Sequence, residues 1–414
     1  MKITKTLKAA LVAASLMAVS QPVWAQDQLS VLLPPWGTLP KELTDEFAAK
    51  QGLALDTQTL GWDEIRTKIV TSMIANTAPA SATEVDWSWV GQFGAAGWYQ
   101  PLNDGIAPEI LKDVPTSSIF SYDGDVLGVT YNNDFRVMIY NKTHLTEAGI
   151  SSVPTTPDEL LAAAKAVKEA GIAEYPIGLP LSATEGTSTA WYLMTKVFGG
   201  DLFDDDFQPL FVDPDSAGYK AMAFEISALK DGLIDPSSTG LKDVEIQELF
   251  KSGKITFDVA GWAGNLSVYT DPDKSQVSDG AAAALMISTV GKARTIGLPE
   301  AVGIPAGAAN KDGAVAFINW LLEPEIQIAA YETLGNLPAR LSVLEQLNKD
   351  GKLVEGDIIL SQAALVEPMF AQGAPAWYPD FSTSVSSNIN LAAKGQITVD
   401  EAVKNIAADV EAAK

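Results

Sequence analysis

The 414-residue chain contains no cysteine. Disulfides, thiolate metal ligands, cysteine nucleophiles and a lipid anchor on an N-terminal cysteine are therefore excluded. Its core must supply stability without covalent staples, which a chain of this length can do. Histidine occurs once, at His144. A Ser-His-Asp triad would have to use it, and no Gly-x-Ser-x-Gly elbow accompanies it; the residue reads as a surface histidine. Phosphate-binding loops of the Gly-x-x-x-x-Gly-Lys type are absent, as is Gly-x-Gly-x-x-Gly after a strand, so no cofactor is expected. The acidic runs at Asp204 and Asp271 lack the glycine and terminal glutamate of a calcium loop, and no metal is expected. Positive charge is scarce, with 28 Lys+Arg against 52 Asp+Glu, a formal charge of −24. Nucleic acid and anionic lipid surfaces are poor partners for such a chain.

Long apolar runs are also absent after the first 25 residues. That opening segment carries Lys2, Lys5 and Lys8, an apolar stretch from Ala9 to Val19, and small residues at Val23 and Ala25. It reads as a signal peptide cleaved near Ala25, too short to span a membrane, and implies export to the periplasm.

From Gln26 onward, apolar strands alternate with helical stripes, as expected of an α/β protein with crossover helices. Strands are expected at Leu29–Leu33, Leu53–Leu60 and Thr83–Asp86, with helices opening at Lys41 and Trp62. A hairpin turn is expected at Tyr122–Asp125, then strands at Val129–Tyr131 and Arg136–Tyr140. Thr156, Pro157 and Glu159 mark a capped helix start. Further helices are expected around Trp191, from Pro214, from Asp243, from Gly313 with Asp312 as cap, and from Pro324. Thr398 and Glu401 box a last helix. Ile255, Phe257 and Val259 alternate as a strand that runs into Gly261-Trp262-Ala263-Gly264-Asn265. Open sheets bind ligands at the carboxyl ends of their strands. A tryptophan between two glycines at such a tip is therefore a candidate platform, with the glycines leaving room for a sugar.

Other aromatics also sit at loop tips: Trp36, Trp62, Trp87, Trp89, Trp191 and Trp377. Flat rings can cover the C–H face of a carbohydrate while acids, amides and arginine bind its hydroxyl rim. Trp62, Trp98 and Trp320 fit helix stripes and read as structural. A catalytic carboxylate pair would be equally compatible with so acidic a chain.

Several segments recur in one order: Val85-Asp86-Trp87-Ser88-Trp89, Gly97-Trp98-Tyr99-Gln100-Pro101-Leu102, Met138-Ile139-Tyr140-Asn141-Lys142 and Pro154-Thr155-Thr156-Pro157-Asp158-Glu159-Leu160. Phe250-Lys251-Ser252-Gly253-Lys254 leading to Gly261-Trp262, and Gly335-Asn336-Leu337-Pro338-Ala339-Arg340, complete the series. In these the chain resembles the family 1 extracellular solute-binding proteins of ABC importers, in their sugar-binding branch. It departs from the family in an insertion between Asn76 and Asp86 and in Pro157, where a tryptophan is usual. The resemblance implies two α/β lobes, 27–135 with 296–334 and 136–295 with 335–414, closing by hinge motion on a ligand between them. It implies no catalysis, a carbohydrate or polyol ligand, membrane permease subunits as partners and a monomeric protein. The expected ligand-side residues are Trp36, Gly37, Asp86, Trp87, Ser88, Glu185, Trp191, Gly261, Trp262, Asn265, Arg340 and Trp377. Arg340 would suit an acidic sugar derivative. The alternatives are a secreted carbohydrate-active enzyme and a binding protein for another solute such as a polyamine.

Overall fold

The computed structural model describes residues 28–370 and 373–414, so the expected signal peptide lies outside the described residues. The strands relevant to the site are β1 (Gln28–Leu33), β2 (Ala54–Thr59), β3 (Ala82–Asp86), β4 (Val129–Asn132), β5 (Met138–Asn141), β6 (Ile177–Gly178), β7 (Phe257–Asp258), β8 (Ala281–Ala284) and β9 (Glu300–Gly303). They form two main sheets, ordered β2-β1-β3-β9-β4 and β8-β5-β7-β6. In the first, β1 runs parallel to β2 and β3, while β9 runs antiparallel to β3 and β4. The parallel part follows from the strand–helix–strand–helix order of its sequence. Strand β9 joins from far along the chain, which no local signal foretells.

Alternation along the strands decides what each sheet face buries. Leu29, Val31 and Leu33 face a cluster with Phe47, Phe317 and Trp320, whereas Leu32 and Val85 face Ile65, Ile69, Trp89 and Phe93. The second sheet sorts likewise, with Val137 and Ile139 on one side and Met138 on the other. Each such Ile or Phe contributes about 1.5–3 kcal/mol by leaving water.

Helix boundaries follow local chemistry. Helix Trp62–Ile74 buries Ile65, Ile69 and Met73, and helix Val399–Ala413 is closed by the Thr398–Glu401 box. One cap differs from expectation. Asn310, not Asp312, caps helix Lys311–Leu321 by accepting from the Gly313 amide at 2.9 Å. The strand expected over Ile255–Val259 is also shorter, only Phe257–Asp258. Its amides at 256 and 257 both turn to the Pro176 carbonyl. His144 is half-buried with Nδ1 3.0 Å from Thr256 Oγ1, rather than a free surface group. Burial lowers its pKa.

Between the sheets the chain crosses repeatedly. Asn132 bridges Pro338, Phe135 bridges Gly297 and Arg136 bridges Trp262. Leu337 belongs to the second sheet's cluster and Ala339 to the first's. The segment 336–340 thus ties both halves together.

Candidate functional site

A cleft of about 1100 Å³ lies where the strand tips of the two sheets face each other. On the first side, β3 ends in Asp86, whose carboxylate accepts from the Ser88 amide at 2.8 Å and so caps the short turn Trp87–Trp89. This is the ordinary N-cap chemistry of aspartate. The other oxygen accepts from Trp62 Nε1 at 3.0 Å. Sheet register then brings partners that are distant in sequence: Glu300 stands opposite Asp86 across β9–β3 and opposite Asn132 across β9–β4. A register irregularity between Glu300 and Ala301 re-aims the glutamate, as bulges do. Glu300 accepts from Asn132 Nδ2 at 3.1 Å, from Tyr131 Oη at 3.2 Å and from Trp36 Nε1.

Tyr131 Oη also lies 2.9 Å from Glu84 Oε2. One hydroxyl has one proton, so both contacts are satisfied only when a carboxyl of the pair is itself protonated. Glu300 already accepts from two other donors, which leaves Glu84 as the proton carrier. Burial accordingly raises both carboxyls, Glu84 well above the usual range and Glu300 to about 7, and each is pushed further by a neighbouring carboxylate. Burial raises Asp86 as well, against its hydrogen bonds and Arg66.

On the second side, the chain after β7 turns at Gly261 and runs back along the crossing segment. The Val137 amide donates to Gly261 O at 3.1 Å and the Ala263 amide to Phe135 O at 3.0 Å. This pairing fixes Trp262. Its ring lies 3.6 Å from the Arg136 guanidinium carbon, and Arg136 Nη1 donates to Ala260 O at 2.7 Å. Asp258 accepts from Tyr269 Oη at 2.9 Å. Burial lifts Asp258 to about 6, with Arg136 opposing the shift. Glu185, at the start of helix Glu185–Val197, accepts from Tyr378 and Ser382 and is raised to about 7 by burial.

Among the residues expected from sequence, Trp36, Asp86, Trp87, Ser88, Glu185, Trp262 and Asn265 line this cleft. The others do not. Trp191 is fully buried and its Nε1 donates to Gly218 O at 2.8 Å, so it is core. Trp377 packs among Phe203, Phe207 and Phe370. Arg340 is committed to Asp113, with Nε 2.8 Å from Oδ2, at a helix start that the same carboxylate caps through the Ser342 amide at 2.9 Å. The glycines serve backbone packing. A Cβ on Gly37 would lie 2.5 Å from Tyr131 Oη, one on Gly261 2.9 Å from Ile139 Cδ1, and one on Gly264 2.3 Å from the Gly335 carbonyl. Gly264 nonetheless lines the cleft, whereas Gly37 and Gly261 do not.

Sequence reasoning missed Trp62, which lines the cleft at the first turn of its helix although it fits the helix stripe. It also missed Asn132, Asp134, Arg136 and Glu300, whereas Tyr378, expected on the ligand side together with Trp377, does line the cleft. The crossing of the chain near residue 136 is the one signal that could have pointed to Asp134 and Arg136. No pattern around Glu300 marks it, because its neighbours come from strands that end at residues 86 and 132.

Residues 35–328 match the family model of the bacterial extracellular solute-binding proteins. A binding protein of Brucella abortus is 26% identical over 379 residues, 90% of this chain and 89% of that one. A periplasmic-binding protein of Sinorhizobium fredii assigned to amino-acid ABC transport is 24% identical over 323 residues, 75% of this chain and 70% of that one. Among solved structures, an ABC transporter solute-binding protein from Thermotoga lettingae bound with α-D-tagatose superposes with a TM-score of 0.81. The identity is 21%, over 94% of this chain and 99% of that one. At that identity the likeness establishes the two-lobed fold.

Proposed function

The chain belongs to the bacterial extracellular solute-binding proteins, and from that premise we propose that it captures a carbohydrate or polyol between its lobes. It then delivers the ligand to the permease of an ABC importer. In this reading the lobes are 27–135 with 296–334 and 136–295 with 335–414, the protein acts as a periplasmic monomer after loss of its first 25 residues, and no bond is made or broken. The observation that carries the ligand class is the lining of the cleft. Trp36, Trp62, Trp87 and Trp262 present indoles there beside Asp86, Glu300, Asn132 and Asn265, flat apolar faces interleaved with hydroxyl-binding groups. The tagatose complex of a protein with this fold supports the same class. The cleft volume, about 1100 Å³, reaches the upper end of ordinary small-molecule sites, about 1000 Å³, so a disaccharide is accommodated as well as a single ring.

Closure needs a ligand that touches both walls, since only then does its binding energy favour the closed state. A thermal-shift panel of sugars, polyols, amino acids and polyamines tests the proposal. A ligand at a hundred times its Kd adds about 2.7 kcal/mol. Shifts confined to sugars or polyols are expected; shifts confined to amino acids would transfer the function to the class of the Sinorhizobium relative. Turnover of a glycan by the pure protein would overturn the non-catalytic part.

A further inference from the structure

The cleft holds more buried carboxyl groups than buried bases, and burial raises each of these acids; a cationic ligand favours their ionised forms, which a neutral sugar does not. Asp86, Asp134 and Glu300 are exposed by only 9%, 4% and 6%. The buried base in the lining is Arg136, 3% exposed. Its face is covered by Trp262 and its Nη1 is spent on a backbone carbonyl. Asp134 Oδ2 is buried without a hydrogen-bond partner in the protein, and a bare carboxylate oxygen in such a place is costly.

The acids also act on one another. Glu300 raises Asp134, Asp86 raises Glu300 and Glu185, and Asp243 raises Glu185 further. The charges that oppose this are Arg136, on Asp134 and Asp258, and Arg66, on Asp86; Lys242 and Lys251 also line the cleft. Glu84 and Tyr131 stand behind Glu300, and Tyr378 beside Glu185.

We propose that the ligand is a carbohydrate bearing an ammonium group, which the cleft takes against Asp134 and Glu300 with indole faces around it. This rests on the carbohydrate reading given above and specifies its charge. An ammonium supplies the donor that Asp134 Oδ2 lacks and neutralises the acid row at the same time. Indoles attract cations through their ring faces, which a neutral hydroxyl does not exploit. The hydroxylated part of the ligand is required too. Trp262 Nε1 is a buried donor with no partner in the protein, and a bare polyamine offers it no acceptor. An acidic sugar fits poorly, because its carboxylate meets Asp86, Asp134 and Glu300 as like charges and Arg340 faces Asp113.

Titration calorimetry on the full mature protein distinguishes these cases with D-glucosamine, D-galactosamine and fully deacetylated chitobiose, each paired with its N-acetylated form, and with spermidine. For a pair that binds, the free amine is expected to bind about tenfold tighter or more at pH 7, a difference of about 1.4 kcal/mol. The preference should shrink to about threefold or less at pH 5, where Glu185 and Glu300, both raised to about 7, carry protons and no longer attract a cation. Asp134→Asn keeps the shape of the side chain and should erase the preference at pH 7. Because the readout is a ratio on one protein, a general loss of stability does not imitate it. N-acetylated members binding as tightly as the amines, or Asp134→Asn keeping the wild-type ratio, would overturn the charge assignment and leave the carbohydrate reading standing. Spermidine binding with every sugar silent, or silence throughout, would overturn both.

Discussion

The two sheets end in the same cleft but handle buried charge differently. At the tip of the first, Asp86, Glu300 and Glu84 face one another across adjacent strands, and the solution is a shared proton relayed through Tyr131. At the tip of the second, Asp258 meets Arg136, which also covers Trp262. Burial raises both carboxyls, Asp258 to about 6 and Glu300 to about 7; at Asp258 the Tyr269 hydrogen bond and then Arg136 oppose the rise, whereas at Glu300 the neighbouring Asp86 adds to it. The first tip thus meets its buried acids with a shared proton and the second with a nearby cation, while Glu185, also on the second side, is raised to about 7 as Glu300 is.

This contrast can be broken most severely at Arg136. Arg136→Met leaves Asp258 and Asp134 buried without their counter-charge, so urea denaturation should show a loss of about 3–5 kcal/mol. A loss under 1 kcal/mol would mean that the second wall is not held by its cation.

Titration probes the first wall. A carboxyl whose folded pKa exceeds its unfolded value stabilises the fold fully below the unfolded value, and that contribution is lost as pH rises through the folded one. For Glu300 the window runs from 4.5 to about 7. The stability lost across it is on the order of 3 kcal/mol. Urea midpoints of the ligand-free protein should therefore fall between pH 5 and pH 8. Glu300→Gln should remove part of the slope that runs to about pH 7, the rest of which Glu185 carries, whereas Asp258→Asn removes a part of similar size that ends near pH 6. A slope between pH 6 and pH 8 that Glu300→Gln leaves unchanged would remove Glu300 from the titrating groups.

Trp262→Ala tests what the second wall gives the ligand. Sequence reasoning alone would leave the ligand-free protein unaffected. The Arg136 stack changes that expectation to a loss of about 1–2 kcal/mol, accompanied by disappearance of ligand-induced thermal shift. Retained binding would confine Trp262 to its packing against Arg136.

The smallest effect is expected outside the cleft. Arg340→Gln weakens one tie to Asp113 while the Ser342 cap persists. A cost of about 1 kcal/mol or less is expected, with ligand affinity in calorimetry within about twofold of wild type. A tenfold change in affinity would make the 336–340 crossing a determinant of closure.

Much of the first sheet was legible because its elements are consecutive. The stripe of Ile65, Ile69 and Met73, the alternation of β1 and the Asp86 turn all obey rules that operate within a few residues. Trp262 was legible for the same reason, as a tryptophan at a strand tip between glycines. Trp191 shows the limit. It sits in the helix that carries Glu185 at its start, and nothing local distinguishes an indole facing the cleft from one whose Nε1 meets Gly218 O. The glycines misled in a similar way, since Gly261 and Gly264 mark close backbone approach to Ile139 and Gly335, which lie far away in sequence.

Composition and local pattern by themselves determined the class: an acidic, cysteine-free α/β chain with family motifs in order and an aromatic-rich set of strand tips. Periodicity and capping act over one or two turns of chain, so the sequence carries them openly. Only the tertiary structure decided which acids share a proton, which indole lies under a guanidinium and which arginine is already spent. Those outcomes depend on strand register and on crossings between residues more than 200 positions apart, such as Glu84 and Glu300 or Asp113 and Arg340. Burial in a low-dielectric wall then turns that proximity into chemistry.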